Sequence, residues 1–265
     1  MEVTQQNGNN KTKQLKRSSR SWSNFKLMNE PAIGNEAYIP TKIEHIANSI
    51  THALFILPSI HAGQAMLQEA CNPSERFNAV LFGFALFALF SVSTSFHTLC
   101  LCGQSGKLRF YLHITDRSVI YLFIAASYTP WLTLVPVGFF GFHLRWFMWL
   151  CAILGIIYSY CFYERNKRLE TVLYVTLALL PSLAVLEVPE MKGSYELALG
   201  GLVYLLGVGF FKSDGIVPFA HAIWHIFVVG GAFIHQYTIQ TYLIGPLLYT
   251  DAGEIIHNAT CENTA

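Results

Sequence analysis

PFAHAIWHIFVVGGAFIH, residues 218–235, is an apolar run that carries two histidines four positions apart. The run suits a membrane-spanning helix, in which residues i and i+4 lie on one face about one turn apart. His221 and His225 can therefore reach a single metal ion, and imidazole suits zinc among the common biological metals. Placing an ionisable side chain inside a bilayer costs free energy, so the presence of these two histidines suggests a functional site. The alternative is a pair of core histidines whose polar atoms are satisfied by neighbouring helices.

The composition is that of a membrane protein. Of the 265 residues, 53% are hydrophobic and only 12% are charged, whereas soluble domains carry roughly 25% charged residues. The net charge of +1 gives no basis for nucleic-acid binding, and we expect none.

Seven apolar runs are long enough to cross the ~30 Å hydrocarbon core of a bilayer, and they predict an all-α membrane protein with seven transmembrane helices. Several are weak alone, since Pro58 interrupts the first and Pro181 lies in the fifth. Neighbouring helices can satisfy the backbone groups that such residues free. The predicted spans fall at roughly 43–66, 77–101, 110–130, 143–163, 169–187, 196–212 and 219–244.

Lysines and arginines predict the orientation through the positive-inside rule. With a cytoplasmic N-terminus, the basic loops collect on the cytoplasmic side, and only Arg76, Arg145 and Lys192 fall on the other. We therefore expect a cytoplasmic N-terminus and a luminal or extracellular C-terminus. Three domains follow: a disordered basic cytoplasmic arm at 1–35, the seven-helix domain at 36–244 and a luminal or extracellular tail at 245–265.

This orientation brings four polar residues of three spans to one depth. His97 lies near the cytoplasmic end of the second span, and Asp116 about six residues into the third. His221 and His225 occupy the first two turns of the seventh. At 1.5 Å per residue, all four lie roughly 3–10 Å below the cytoplasmic boundary, which favours a shared metal site.

Three histidine nitrogens around Zn²⁺, with a fourth position left for water, are typical of a catalytic rather than a structural site. Zinc lowers the pKa of such a water to about 7. Asp116 could bind the metal through that water, orient it and act as general base. Ser93, four residues before His97 on the same helical face, could hydrogen-bond a ligand, the water or a substrate carbonyl.

Other polar residues near this depth have competing interpretations. His113 shares a face with Asp116 and is a rival ligand, while His52 in the first span is more typical of a packing or hydrogen-bonding histidine. Arg117 could pair with Asp116 or Glu44, or reach the cytoplasmic interface. Pairing with Asp116 would make that carboxylate a poorer base.

Together these motifs resemble the progestin and adipoQ receptor family, whose relatives include the adiponectin receptors and bacterial haemolysin III proteins. The shared pattern is Ser93-x3-His97, Asp116 in the next helix and His221-x3-His225 in the last, over about residues 36–244. Glu44 with Asn48, followed by Thr51-His52, also resembles that family's first helix. The stretches that look closest to its monocyte to macrophage differentiation factor branch are DRSVIYLFIAASYTPWL (116–132), LRWFMWL (144–150) and FFKSDGIVPFAHAIWH (210–225).

The resemblance implies a seven-helix fold with a cytoplasmic N-terminus, and zinc held by His97, His221 and His225, with Ser93 and Asp116 around the metal-bound water. It implies hydrolysis of ceramide, a lipid amide, for members with such sites. For this branch it implies Golgi residence and promotion of Ras and ERK signalling through cytoplasmic partners.

Two hypotheses from different classes follow. The first is a zinc-dependent intramembrane hydrolase of a lipid amide, with Asp116 as base. The second is a receptor-like scaffold that recruits signalling partners, in which zinc only joins helices. Of the two, the resemblance favours the signalling role, with hydrolysis as the alternative. A transporter is a third, weaker interpretation, because the outer half offers few polar residues beyond His61 and His235. Outside the site, Cys100 and Cys102 are more typical of ordinary interfacial cysteines than of palmitoylated ones, and Cys71 could pair with Cys261.

Overall fold

The computed structural model describes residues 26–34, 38–103, 106–163, 165–188, 191–245, 248–249 and 255–256. These residues form an all-helical protein, as the sequence predicts, with one addition in the C-terminal tail. There, β1 (Leu248–Tyr249) pairs antiparallel with β2 (Ile255–Ile256). The α-helices are α1 (Lys42–Ala53), α2 (Ile56–Glu69), α3 (Pro73–Leu101), α4 (Lys107–Leu134), α5 (Phe139–Cys161), α6 (Lys167–Leu179), α7 (Ser194–Phe211) and α8 (Ala220–Leu243).

The first predicted span is a broken helix. Thr41 caps α1: its hydroxyl accepts from the Glu44 amide, and the Glu44 carboxylate accepts from the Thr41 amide, which satisfies two otherwise unpaired backbone donors. The break falls at Leu54 and Phe55, four and three residues before Pro58. Proline has no amide hydrogen and its ring collides with the carbonyl four residues earlier, so the helix ends there and restarts as α2.

Five helical segments in the described part of the chain are long and apolar enough to cross a membrane: Lys42–Glu69, which joins α1 and α2, and α3, α5, α7 and α8. The two other predicted spans correspond to α4 and α6. Charged residues, Asp116 and Arg117 among them, interrupt the apolar sequence of α4. The α-helical part of α6 has only 13 residues, and a 3-10 helix, Leu180–Glu187, continues it across Pro181.

The outer surface of the bundle is apolar. On α5, small or apolar side chains such as Leu144, Met148 and Ala152 are buried, while Trp146 and Leu150 are 66% and 51% exposed. An exposed face of this kind suits contact with lipid rather than water. The protein is therefore an integral, multi-pass membrane protein.

Helix α3 lies at the centre of one half of the bundle, packed against α1, α2 and α4. Its Phe82, Leu86 and Phe90 are completely buried. Gly63 of α2 and Gly83 of α3 mark a close approach of the two helix backbones, since a Cβ on Gly83 would lie 2.8 Å from the Gly63 Cα. Helix α8 packs against α1, α4 and α7, so residues of α1, α3, α4 and α8 can meet at one site.

Candidate metal centre

Three histidines converge between α3 and α8. His97 lies one turn before the end of α3, and His221 and His225 lie in the first two turns of α8. Their ligand nitrogens all lie within 4.8 Å of one another. His97 and His225 are buried and His221 is partly buried. The prediction that these three side chains come close enough to hold one metal ion is confirmed.

Each of these histidines has a partner at Nδ1. His225 Nδ1 lies 3.1 Å from the Asn48 carbonyl oxygen and 3.0 Å from the Thr51 hydroxyl. A carbonyl can only accept, so this Nδ1 carries the proton and Nε2 keeps its lone pair. His221 Nδ1 lies 3.5 Å from the Asp214 carboxylate, which can also only accept when ionised.

His97 completes the pattern through a histidine that the sequence analysis missed. Its Nδ1 lies 3.1 Å from His45 Nδ1, and its buried Nε2 has no hydrogen-bond partner among the described residues. Metal-binding histidines usually donate their second ring nitrogen to such an acceptor, which fixes the tautomer and the ring orientation. The donor set therefore fits a metal ion bound through three Nε2 atoms.

The sequence contains only a weak signal for His45 and Asp214. His45 lies next to Glu44 in the first-helix motif, and Asp214 lies in FFKSDGIVPFAHAIWH. Neither residue is in the same helix as the histidine that it orients, so helical spacing could not identify it. The loop before α8, which contains Asp214, has left-handed backbone at two positions. Gly215 (φ +79) packs against the Pro31 backbone, and Phe219 adopts a left-handed φ of 58 immediately before α8.

Hydrogen bonds to Tyr38 fix the chain just before α1, close to this site. The Tyr38 hydroxyl donates to the Glu44 carboxylate over 2.9 Å and accepts from the Asn29 amide at 3.0 Å. Burial is the main cause that raises the pKa of the Tyr38 phenol above its ordinary value, so the group keeps its proton at neutral pH. Of the predicted arm at 1–35, residues 1–25 and 35 lie outside the described residues, as do residues 36 and 37.

Asp116 and Ser93 lie on the wall of a cavity of about 420 Å³ that His221 and His225 also line. The rest of the wall is largely apolar and comes mainly from α4, α6, α7 and α8. Asp116 is not one of the three clustered ligand residues. It shares the cavity wall with His221 and His225; its predicted role as a base stays a prediction.

Arg117 pairs with none of the partners that the sequence analysis considered. Its Nη1 lies 3.2 Å from the Glu170 carboxylate of α6, because consecutive helical residues point in different directions. Asp116 faces the cavity, while Arg117 faces α6. The cation is thus engaged away from Asp116.

The two other histidines near this depth are not part of the group. His113 hydrogen-bonds the Tyr163 hydroxyl and stacks on Phe96, so it is not a ligand here. His52 is buried and stacks on His225 at 3.7 Å between ring centroids, and neither ring nitrogen has a hydrogen-bond partner among the described residues. Of its two predicted roles, packing is therefore the one observed. Elsewhere, Cys71 is disulfide-bonded; Cys261, which the sequence offers as one partner, lies outside the described residues.

Comparison with known proteins agrees with the motifs. The model of the family described as "Haemolysin-III related" matches residues 41–236. The human monocyte to macrophage differentiation factor is 46% identical over 222 residues, covering 82% of this chain and 92% of that protein. Hemolysin-3 of Bacillus cereus is 32% identical over 207 residues, covering 76% of this chain and 92% of its own. The Hemolysin-3 homolog of Bacillus subtilis is 34% identical over 207 residues, covering 76% and 95%. The chain therefore belongs to the haemolysin-III related family.

Proposed function

We propose that this protein is a zinc-dependent hydrolase that cleaves a lipid amide, such as a ceramide, inside the membrane near its cytoplasmic face. The observation that carries the proposal is that a candidate metal site adjoins an apolar cavity. A group of three histidines, each with a partner at Nδ1, adjoins a largely apolar cavity of about 420 Å³ that His221 and His225 line. A cavity of this size and lining suits an acyl chain.

His97, His221 and His225 would hold the zinc ion. Zinc bound by three histidines supplies Lewis acidity and makes hydroxide available at neutral pH. The histidines are oriented by His45, Asp214 and the Asn48 carbonyl.

Asp116 is the carboxylate on the cavity wall beside this group. With Arg117 engaged by Glu170, Asp116 can take up a proton from the water that attacks the amide carbon and give that proton to the leaving amine as the C–N bond breaks. Ser93 lines the same wall and can donate a hydrogen bond to the substrate carbonyl. Both roles require only side chains that already face the cavity.

The proposed topology has seven spans with the N-terminus in the cytoplasm. Besides the five apolar segments, α4 and α6 would cross as well, because their polar side chains are directed away from lipid. Asp116 lines the cavity, and Arg117 and Glu170 pair with each other inside the bundle. Two glycosylation sequons test this. We expect glycan on Asn258, in Asn258-Ala-Thr260, and none on Asn10, in Asn10-Lys-Thr12. The reverse pattern would overturn the topology.

A second candidate is a signalling scaffold, of the Ras and ERK type that the resemblance implies, resident in the Golgi. One observation favours it: the partners of the three histidines come from α1 and from the α7–α8 loop. Zinc would join α3 to α8, and these hydrogen bonds would hold α1 against them, so that the three helices form one rigid unit. Cytoplasmic partners would then recognise that unit, and no turnover would be needed.

Hydrolysis of a fluorescent ceramide by detergent-purified protein separates the two candidates. The enzyme should lose activity in Asp116→Asn, by about 100-fold or more for loss of an acid–base group. Glu196→Gln is the matched control, because Glu196 accepts from Tyr242 at the opposite end of α8 and should leave turnover intact. Turnover that persists in Asp116→Asn would contradict the role of this residue. A zinc-loaded wild type without turnover would favour the scaffold.

A further inference from the structure

A second polar position lies at the other end of the same cavity. We propose that His235 and Tyr204 bind a neutral hydrogen-bonding group, a hydroxyl or a carbonyl, on the apolar part of the lipid whose polar end faces the three histidines. The inference rests on the proposed lipid-binding role of the cavity, but not on catalysis.

His235 is a buried histidine without a hydrogen-bond partner. It lies on α8, lines the cavity and is 2% exposed. Neither Nδ1 nor Nε2 has a partner within the described part of the chain. Buried polar atoms are normally hydrogen-bonded, and leaving one unpaired is costly. The imidazole therefore presents one donor and one acceptor to whatever fills this end of the cavity.

Tyr204 of α7 adds a second polar atom at the same place. Its ring centroid lies 5.6 Å from that of His235, and its buried hydroxyl also has no partner among the residues described. Tyr128, on the same cavity wall, differs, because its hydroxyl donates to the Ala178 carbonyl at 2.7 Å. Three tyrosines line the cavity. Tyr174 donates to the Glu170 carboxylate, so among the described residues Tyr204 is the one whose hydroxyl is left for a ligand.

Two glycines make room for this pair. A Cβ on Gly200 of α7 would lie 2.4 Å from His235 Cδ2, and a Cβ on Gly231 of α8 would lie 2.7 Å from Tyr204 Cζ. Each ring therefore packs against a glycine of the opposite helix. Their positions are fixed by close packing between α7 and α8, which is what a built binding position requires.

The charge of the lining limits the ligand class. Among the cavity-lining residues, all within the described chain, Asp116 is the one carboxylate, and no lysine or arginine is present. Asp116 belongs to the other end, with His221. A neutral hydroxyl or carbonyl matches His235 and Tyr204, whereas a charged group would find no opposite charge.

The spacing along α8 gives the length of the ligand. His235 lies ten residues after His225, which corresponds to ~15 Å along a helix. A lipid that reaches both ends would carry its second polar group near the middle of an acyl chain. We therefore expect a preference for a chain oxygenated at mid-length over a saturated chain.

Competition binding to the full-length, detergent-purified protein tests the proposal. The probes are a long saturated fatty acid and the acid of equal length with one mid-chain hydroxyl, each displacing a fluorescent fatty acid. One added hydrogen bond should make the wild type prefer the hydroxylated acid by roughly 3- to 10-fold. Tyr204→Phe should lose most of this preference, and Tyr128→Phe should retain it.

The remaining outcomes separate this proposal from the hydrolase. Equal affinity of the wild type for both acids would overturn the second polar position and leave the lipid cavity intact. Failure of both acids to displace the probe would overturn the lipid cavity as well. Preference for the hydroxylated acid in a protein without zinc would support the position and refute the hydrolase.

Discussion

Asp116 and Glu170 are carboxylates on neighbouring helices with opposite surroundings. Glu170 is 6% exposed and engages the Arg117 guanidinium at 3.2 Å, the Tyr174 hydroxyl at 3.1 Å and the Ser159 hydroxyl at 3.4 Å. Asp116 lies beside Arg117 in sequence, yet it faces the cavity with Ser93 and the histidines.

The difference separates a structural carboxylate from a chemical one. A carboxylate with an ion pair and two hydroxyl donors has its acceptors filled, so it joins α4, α5 and α6 and has little capacity for further chemistry. A carboxylate on a cavity wall beside metal-binding histidines can exchange protons with a ligand. Substitution at the two positions should therefore affect different properties.

The largest expected effect is on stability at Glu170. Glu170→Ala leaves the Arg117 charge within the bundle without its partner, and breaking a buried pair costs about 3–5 kcal/mol. Thermal unfolding in detergent would measure the loss. The double variant Arg117→Met/Glu170→Met should recover much of it, since apolar replacement of both partners is often neutral. Wild-type stability in Glu170→Ala would contradict the structural role.

An intermediate effect is expected at His45, whose Nδ1 orients His97. In His45→Ala, His97 loses its partner at Nδ1, and zinc affinity should fall about 10- to 100-fold, measured by competition with a chelator. His113→Ala is the matched control: this histidine also lies near the site but bonds Tyr163, and its loss should leave zinc affinity unchanged. An equal decrease in both variants would show that neither effect is specific to the His97 contact.

The smallest effect on stability is expected at Asp116. Asp116→Asn keeps the shape of the side chain and breaks no ion pair, so we expect the free energy of unfolding to change by about 1 kcal/mol or less. Thermal unfolding beside Glu170→Ala gives a direct comparison. Destabilisation of Asp116→Asn to the level of Glu170→Ala would show that the two carboxylates have the same structural role.

Much of the helical architecture could be predicted from apolar runs, because lipid-facing and core-facing residues are both apolar in a membrane protein. The break at Pro58 followed from proline chemistry. The exceptions are α4 and α6: polar residues needed inside the bundle interrupt α4, and the 3-10 segment shortens α6. Hydropathy alone cannot distinguish such helices from surface helices.

The three histidines could be predicted from spacing and depth, but their partners could not. His45 and Asp214 reach the site through packing of α1 and through a loop with left-handed backbone at Gly215 and Phe219. Glu170 of α6 contacts Arg117 of α4, so this pair also depends on how two helices pack. Such contacts depend on the rotation of one helix against another, which no single periodicity specifies.

Zinc content tests the central claim most directly. Purified wild-type protein should contain about one zinc ion per chain, as three histidines with an open fourth position predict. The His221→Ala/His225→Ala variant should contain none while remaining folded. A well-folded wild type without zinc, or a variant that retains it, would contradict the metal centre and leave a helical membrane protein with packed core histidines.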